Sequence, residues 1–145
     1  MVSSPLPQLT SKMLGDAGEH FALSQFTFAG HPASKLPDGW AGYDLAVDNG
    51  SGLVRVSVKT RAEGTGWKAG AWFGFDERTE CDWLVFLFLA NGGGVRVWVL
   101  PFDIAREAGN RPKPGRKDPY NRYVSFAKLN RAPLSRYENN WALAR

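Results

Sequence analysis

The sequence predicts an α/β domain built on a mixed central β-sheet flanked by helices. Three observations carry that expectation. A segment from about Thr10 to Phe28 repeats its apolar residues at helical spacing, Gly42 to Lys59 alternates on either side of a Gly-rich turn, and Cys81 to Ala90 is a continuous apolar run bounded by turns. A helix, a hairpin and a strand buried on both faces belong together only in a layered α/β or α+β arrangement.

Taken in order, the first helix has Thr10 or Ser11 as N-cap and places Leu14, Ala17, Phe21 and Gln25 on one stripe. Glu19 lies off that stripe, beside Ala22, Leu23 and Phe26, so its carboxylate is not expected to stand free in solvent. Gly15 and Gly18 weaken a helix unless something packs closely there, which suggests contact with a sheet. His31 to Leu36 reads as a short strand that Pro32 confines to an edge or a strand start, and Pro37-Asp38-Gly39 is a turn.

The hairpin follows. If Asn49-Gly50-Ser51-Gly52 is its loop, Asp48 faces Leu53 and Asp44 faces Ser57, with Lys59 on the same side. Tyr43, Leu45, Val47, Val54, Val56 and Val58 then share the other, apolar side. Alone, this is an ordinary amphipathic ribbon. It also gathers a carboxylate, a hydroxyl and an amine, a set able to hold a metal and a water beside a phosphate.

Beyond it, Arg61 to Gly70 reads as a polar loop, Ala71 to Phe75 as a brief strand, and Cys81 to Ala90 as the central strand. Asn91 to Gly94 turns the chain into a strand over Val95 to Leu100. Pro101 opens a short helix that ends near Gly109. Arg111 to Asn121 is a basic, Pro-rich loop, Arg122 to Phe126 an edge strand, and Leu134 to Ala144 a closing helix. No repeat or long linker divides residues 1–145, so one domain is expected.

Composition narrows the function. With 43% hydrophobic and 13% aromatic residues the chain is a folded one, and its longest apolar run is too short to span a bilayer. The N-terminus has neither the basic nor the apolar region of a signal peptide, and one cysteine, Cys81, forbids an internal disulfide. A soluble cytoplasmic protein with no membrane partner is expected. The net charge of +4 is unevenly spread: eight basic residues against two acidic ones lie between Arg106 and Arg131, and the rest of the chain is slightly acidic. Nucleic acid is the first partner such a segment suggests; a solvated loop serving solubility is the plainer alternative. Arg111, Lys113, Arg116 and Lys117 are the candidate phosphate contacts.

Gly15-Asp16-Ala17-Gly18-Glu19 in the first helix, Gly42-Tyr43-Asp44-Leu45 in the next strand and Val56-Ser57-Val58-Lys59-Thr60 after the turn resemble the PD-(D/E)XK nuclease superfamily, restriction-endonuclease-like in fold. The likeness is greatest to its resolvase-like and homing-endonuclease-like branches, and it covers roughly the first half of the chain. It implies a metal-dependent nuclease that hydrolyses phosphodiester bonds of DNA or RNA. It further implies Asp44 as ligand of a Mg (or Mn) ion, Glu19 completing the site, and Lys59 serving the attacking water and the phosphate. Many nucleases of this type act as dimers, so a homodimer is an alternative to a monomer.

The departure is Ser57, which stands where the family carries Asp, Glu or Gln. Three explanations stay open. Glu19 and the Val58 carbonyl complete the metal site, with Ser57 holding a ligand water; the metal is recruited only with substrate; or catalysis is lost and the chain is an inactive module that binds nucleic acid or a protein partner. Other chemistry is not indicated. His20 and His31 with one cysteine give no zinc spacing, and no phosphate-binding or nucleophile-elbow motif is present. Trp83 and Trp98 read as core, Trp141 as an anchor of the last helix, and Trp40, Trp67 and Trp72 as loop residues near the site, there to pack or to stack on bases.

Overall fold

A computed structural model describes residues 9–40, 42–65 and 71–145. Helix α1 (Ser11–Phe28) is capped by Thr10, whose hydroxyl accepts from the Met13 N–H. Strands β1 (Ala33–Lys35), β2 (Leu45–Asp48), β3 (Leu53–Ala62), β5 (Trp83–Leu89) and β6 (Val95–Pro101) form a five-stranded sheet in the order β1-β2-β3-β5-β6. Its β3–β5 pair is parallel and its other pairs are antiparallel, so the sheet is mixed as expected. The hairpin register is also the expected one, with Asp48 opposite Leu53.

Alternation on β3 and β5 divides the core into two layers. Val56 and Val58, with Leu45, Val47, Val85, Val97 and Val99, lie under Ala22 and Phe26 of α1. On the opposite face, Leu84, Phe86 and Phe88 pack with Phe73, Phe75, Trp98, Leu100 and Val124. That second layer is roofed by a two-stranded sheet, β4 (Trp72–Asp76) paired with β7 (Asn121–Ser125), and by helices α2 (Phe102–Ala108) and α3 (Phe126–Leu129).

Five expectations change. The buried row of α1 is Gly18, Ala22 and Phe26, not the Leu14 stripe, because only a glycine lets the helix approach Thr60 of β3. Tyr43 joins the roofed core instead of the α1 layer, since regular alternation starts only at Leu45. The strand at Arg122 pairs with β4 in the upper sheet instead of edging the central one. The closing helix reduces to a 3₁₀ turn over Leu134–Tyr137. Beyond it the backbone bonds to the β6 edge, Glu138 bridging Trp98 and the Asn139 N–H reaching the Val97 carbonyl. Asn139 and Leu143 have φ of 55° and 57°, incompatible with a continued helix. Trp141 instead packs edge-on against Phe26, ring centroids 5.0 Å apart. The Arg61 loop begins later than expected, because β3 runs on to Ala62; its residues 66–70, Trp67 among them, lie outside the described residues.

Candidate active site

Glu19 of α1 lies near enough to Asp44, at the entry to β2, for its carboxyl to feel the Asp44 charge. Glu19 follows Gly18, so the tight α1–β3 contact carries its carboxyl down toward the sheet. Asp44 stands just before β2. Its backbone N–H donates to the Val56 carbonyl, and its Oδ2 accepts the Val58 N–H at 2.8 Å, fixing the side chain against β3. Burial raises the Glu19 carboxyl above its ordinary value, the Asp44 carboxylate adds to the rise, and Lys35 only partly opposes it.

Lys35 is the residue the sequence reading missed. Its Nζ lies 3.6 Å from Glu19 Oε1 and 3.2 Å from Asp38 Oδ1. Lys12 continues the chain of charges, from Asp38 at 3.2 Å to Asp16 at 2.8 Å. Nothing in the local sequence marks Lys35. It reaches the site because β1 pairs with β2 and sets Lys35 opposite Leu45, one residue from Asp44.

The raised Glu19 carboxyl gives a sign-definite expectation. A carboxyl with a higher folded than unfolded pKa stabilises fully only below the ordinary value of 4.5, and that contribution is lost as pH rises through the folded value. Glu19→Gln is therefore expected to melt above the wild type at pH 7, with the gap closing below about pH 4.5. Thermal melts at pH 4 and pH 7 check this; a lower Tm for Glu19→Gln at pH 7 would contradict it.

Ser57 and Lys59 lie on the other face of β3. In the parallel register they match Leu84 and Phe86, both of the roofed core. Ser57 is 3% exposed; its hydroxyl donates to the Gly42 carbonyl at 3.2 Å and favours ionisation of the buried Cys81 thiol. Burial pushes that thiol up to about 11, so Cys81 is an inert core residue. Lys59 makes no ion pair among the described residues, but its positive charge favours ionised Asp76 and Cys81. Val58, between them, faces α1 and gives its N–H to Asp44.

Asp76 links Lys59 to the basic loop, since Asp76 pairs with Asn121, where that loop enters β7. Lys113, Arg116 and Lys117 are exposed on the loop, and Arg111 sits 3.6 Å from Glu77. Two of the eight basic residues in this segment are structural. Arg122 binds Glu77 at 2.8 Å and the Arg106 and Gly109 carbonyls, and Lys128 donates to the Ala108 carbonyl at 2.6 Å. Trp40 is exposed, whereas Trp72 belongs to β4.

Among the described residues, no group of three or more His, Cys, Asp or Glu is placed to hold a metal ion. Two carboxylates remain, Glu19 raised first by burial and then by the Asp44 charge. That donor set fits Mg²⁺ or Mn²⁺, which take oxygen ligands and commonly keep several waters and substrate phosphate oxygens besides one or two carboxylates.

No protein-family model matches the sequence, and no curated protein matches it. Solved structures do. The chain is similar to a bacterial homing endonuclease, I-Ssp6803I, with a TM-score of 0.61 over 94% of this chain and 91% of that one, at 17% identity. It is also similar to Hjc, a Holliday junction resolvase of Archaeoglobus fulgidus, with a TM-score of 0.52 over 79% of this chain and 85% of that one, at 14% identity. Both are nucleases of restriction-endonuclease-like, PD-(D/E)XK-type fold. At such identities the likeness is one of fold, and it spans the second half of the chain as well as the motif-bearing first half.

Proposed function

We propose that this chain, whose fold is the PD-(D/E)XK nuclease type, is a metal-dependent nuclease hydrolysing phosphodiester bonds of DNA. The observation that supports the proposal is the anchoring of Asp44 on the Val58 N–H, with its charge felt by the partly buried Glu19 carboxyl. Asp44 and Glu19 would hold Mg²⁺ or Mn²⁺, with the Val58 carbonyl as candidate third protein ligand. A divalent ion there would lower the pKa of a bound water and offset charge developing on the phosphate. In the reaction water adds to phosphorus, the bond to the leaving sugar oxygen breaks, and that oxygen takes up a proton. Lys59, with three donors and no carboxylate partner among the described residues, serves the attacked phosphate and its water.

Ser57 has a smaller part in this reading than a ligand would. Its hydroxyl is engaged with Gly42, so it positions the chain entering Asp44. Arg111, Lys113, Arg116 and Lys117 hold flanking phosphates, which makes binding weaken with salt. The single cysteine is buried and reduced chemistry suffices for it, which supports a cytoplasmic setting. No described helix is long and apolar enough to cross a membrane.

A second reading is favoured by one feature: the residue two before Lys59 is a buried serine and brings no carboxylate to the site. On that reading the chain is an inactive nuclease-fold module that binds nucleic acid or a protein partner. A cleavage assay with Mg²⁺ and Mn²⁺ on linear, branched and single-stranded DNA, using wild type, Asp44→Asn and Lys59→Ala, separates the two. Cleavage by wild type that both substitutions abolish supports the nuclease. Cleavage surviving both removes the site from Asp44 and Lys59, and no cleavage on any substrate favours the binding module.

A further inference from the structure

We propose that Arg61 grips a backbone phosphate of bound DNA beside the one served by Lys59, and that the fold carries this cation at a cost to its own stability. The inference rests on the nuclease-like reading of the site and assigns that site a second cationic contact.

Arg61 belongs to β3 and matches Phe88 of β5, as Lys59 matches Phe86. The two cations therefore leave the same face of the strand, two residues or about 6.6 Å apart. They point to the side from which the basic loop enters β7, because Asp76, which feels the Lys59 charge, pairs with Asn121.

What distinguishes Arg61 is the combination of burial and missing counter-charge. Every Asp and Glu of the chain lies within the described residues, and none forms an ion pair with it. Elsewhere the chain pairs its arginines: Arg55 with Asp82, Arg78 with Asp76, Arg96 with Glu138, Arg122 with Glu77 and Arg145 with Asp103. Arg106, Arg116 and Arg131 lack a carboxylate but are exposed, where water solvates the charge at no loss, and exposed Arg136 donates to the Arg145 oxygen. Arg61 is half-buried, and burial alone shifts it, toward the uncharged form, with no neighbouring charge in opposition. Its hydrogen bond to the protein is from Nη1 to the Thr60 carbonyl at 2.9 Å. That leaves four of the five guanidinium donors without a partner among the described residues.

A planar cationic fork in that condition matches the bidentate geometry of a phosphate. DNA supplies the anion that the protein withholds. A purely structural arginine would instead be paired in the free protein, as Arg122 is on Glu77 and two carbonyls.

The test is anisotropy of a labelled DNA duplex titrated with the full chain in EDTA, so that cleavage does not intervene, across a series of salt concentrations. Arg61→Met is expected to weaken binding about five- to ten-fold at low salt and to reduce the slope of log K against log salt by roughly 0.9, one phosphate contact. Arg61→Lys is expected to keep the slope and recover part of the affinity. Thermal melts separate this role from packing: Arg61→Met is expected to melt at or above the wild-type temperature, because it removes a half-buried uncompensated charge. An unchanged slope and affinity in Arg61→Met, with wild type binding well, overturns the inference and leaves the nuclease reading standing. A lower Tm for Arg61→Met with no change in slope assigns Arg61 to packing. Absence of salt-dependent binding by wild type overturns both.

Discussion

Gly18→Ala is expected to destabilise the protein by about 2 kcal/mol, although the same exchange in an ordinary exposed helix would stabilise it by about 1 kcal/mol. The methyl group would overlap Thr60 Oγ1 and meet Thr60 Cβ at 3.0 Å and Cγ2 at 3.3 Å. Thr60 is fixed in the interior of β3, next to β5 on one side and under α1 on the other, so neither partner can give way cheaply. For a chain of this length the loss corresponds to a fall in Tm of roughly 6 °C. Thr60→Ala supplies the control. The Thr60 hydroxyl is buried with no hydrogen-bond partner among the described residues, so removing it costs little by itself. Combined with Gly18→Ala, it removes the overlapping atom and is expected to restore most of the stability, a coupling that a double-mutant cycle reads directly. A Gly18→Ala protein as stable as wild type would mean that α1 does not lie on β3 as described. Displacing α1 also lifts Glu19 away from Asp44, so cleavage is expected to fall further than the loss of folded protein explains.

The largest effect on activity is expected at Asp44, where two substitutions divide its roles. Asp44→Asn keeps an oxygen to accept the Val58 N–H but loses the negative charge. Asp44→Ala loses both, and leaves a buried amide unsatisfied at a cost of about 1–3 kcal/mol. Both variants are expected to lose cleavage by roughly a thousand-fold, the scale of a lost electrostatic contact to the reacting charge. Only Asp44→Ala is expected to show a clearly lower Tm. Mn²⁺ binding followed by calorimetry in the absence of DNA gives a readout independent of turnover, and in both variants it should weaken to the level of Glu19→Gln. Asp44→Asn that cleaves as wild type would remove the metal from this carboxylate.

Much of this architecture is legible along the chain because its signals are local. Thr10 caps a helix, Asn49 to Gly52 closes a hairpin in the expected register, and the run from Trp83 to Leu89 is apolar enough to need cover on both faces. The misreadings come from segments whose partners are remote. Leu134 to Ala144 has helical composition, yet the edge of β6 offers Glu138 and Asn139 backbone partners, and the chain runs alongside it instead. Arg122 to Phe126 is a strand in either reading, but only packing over the roofed core decides that its neighbour is β4.

The same division runs through the candidate site. By itself the sequence supplied the candidates for the chemistry we propose: a carboxylate at Asp44, an amine at Lys59, a second carboxylate at Glu19 and a serine, Ser57, where a ligand is wanted. Strand alternation already set Ser57 and Lys59 on a common face. Only the tertiary structure decided that Lys35 reaches Glu19, that Asp44 is held by the Val58 N–H, that Arg122 is consumed by Glu77, and that Arg61 is half-buried without a carboxylate. The reason is physical. A side chain's identity and face follow from the period of its own element, whereas its charge partner and its burial depend on which remote elements pack beside it, and those are set by the burial of the whole core.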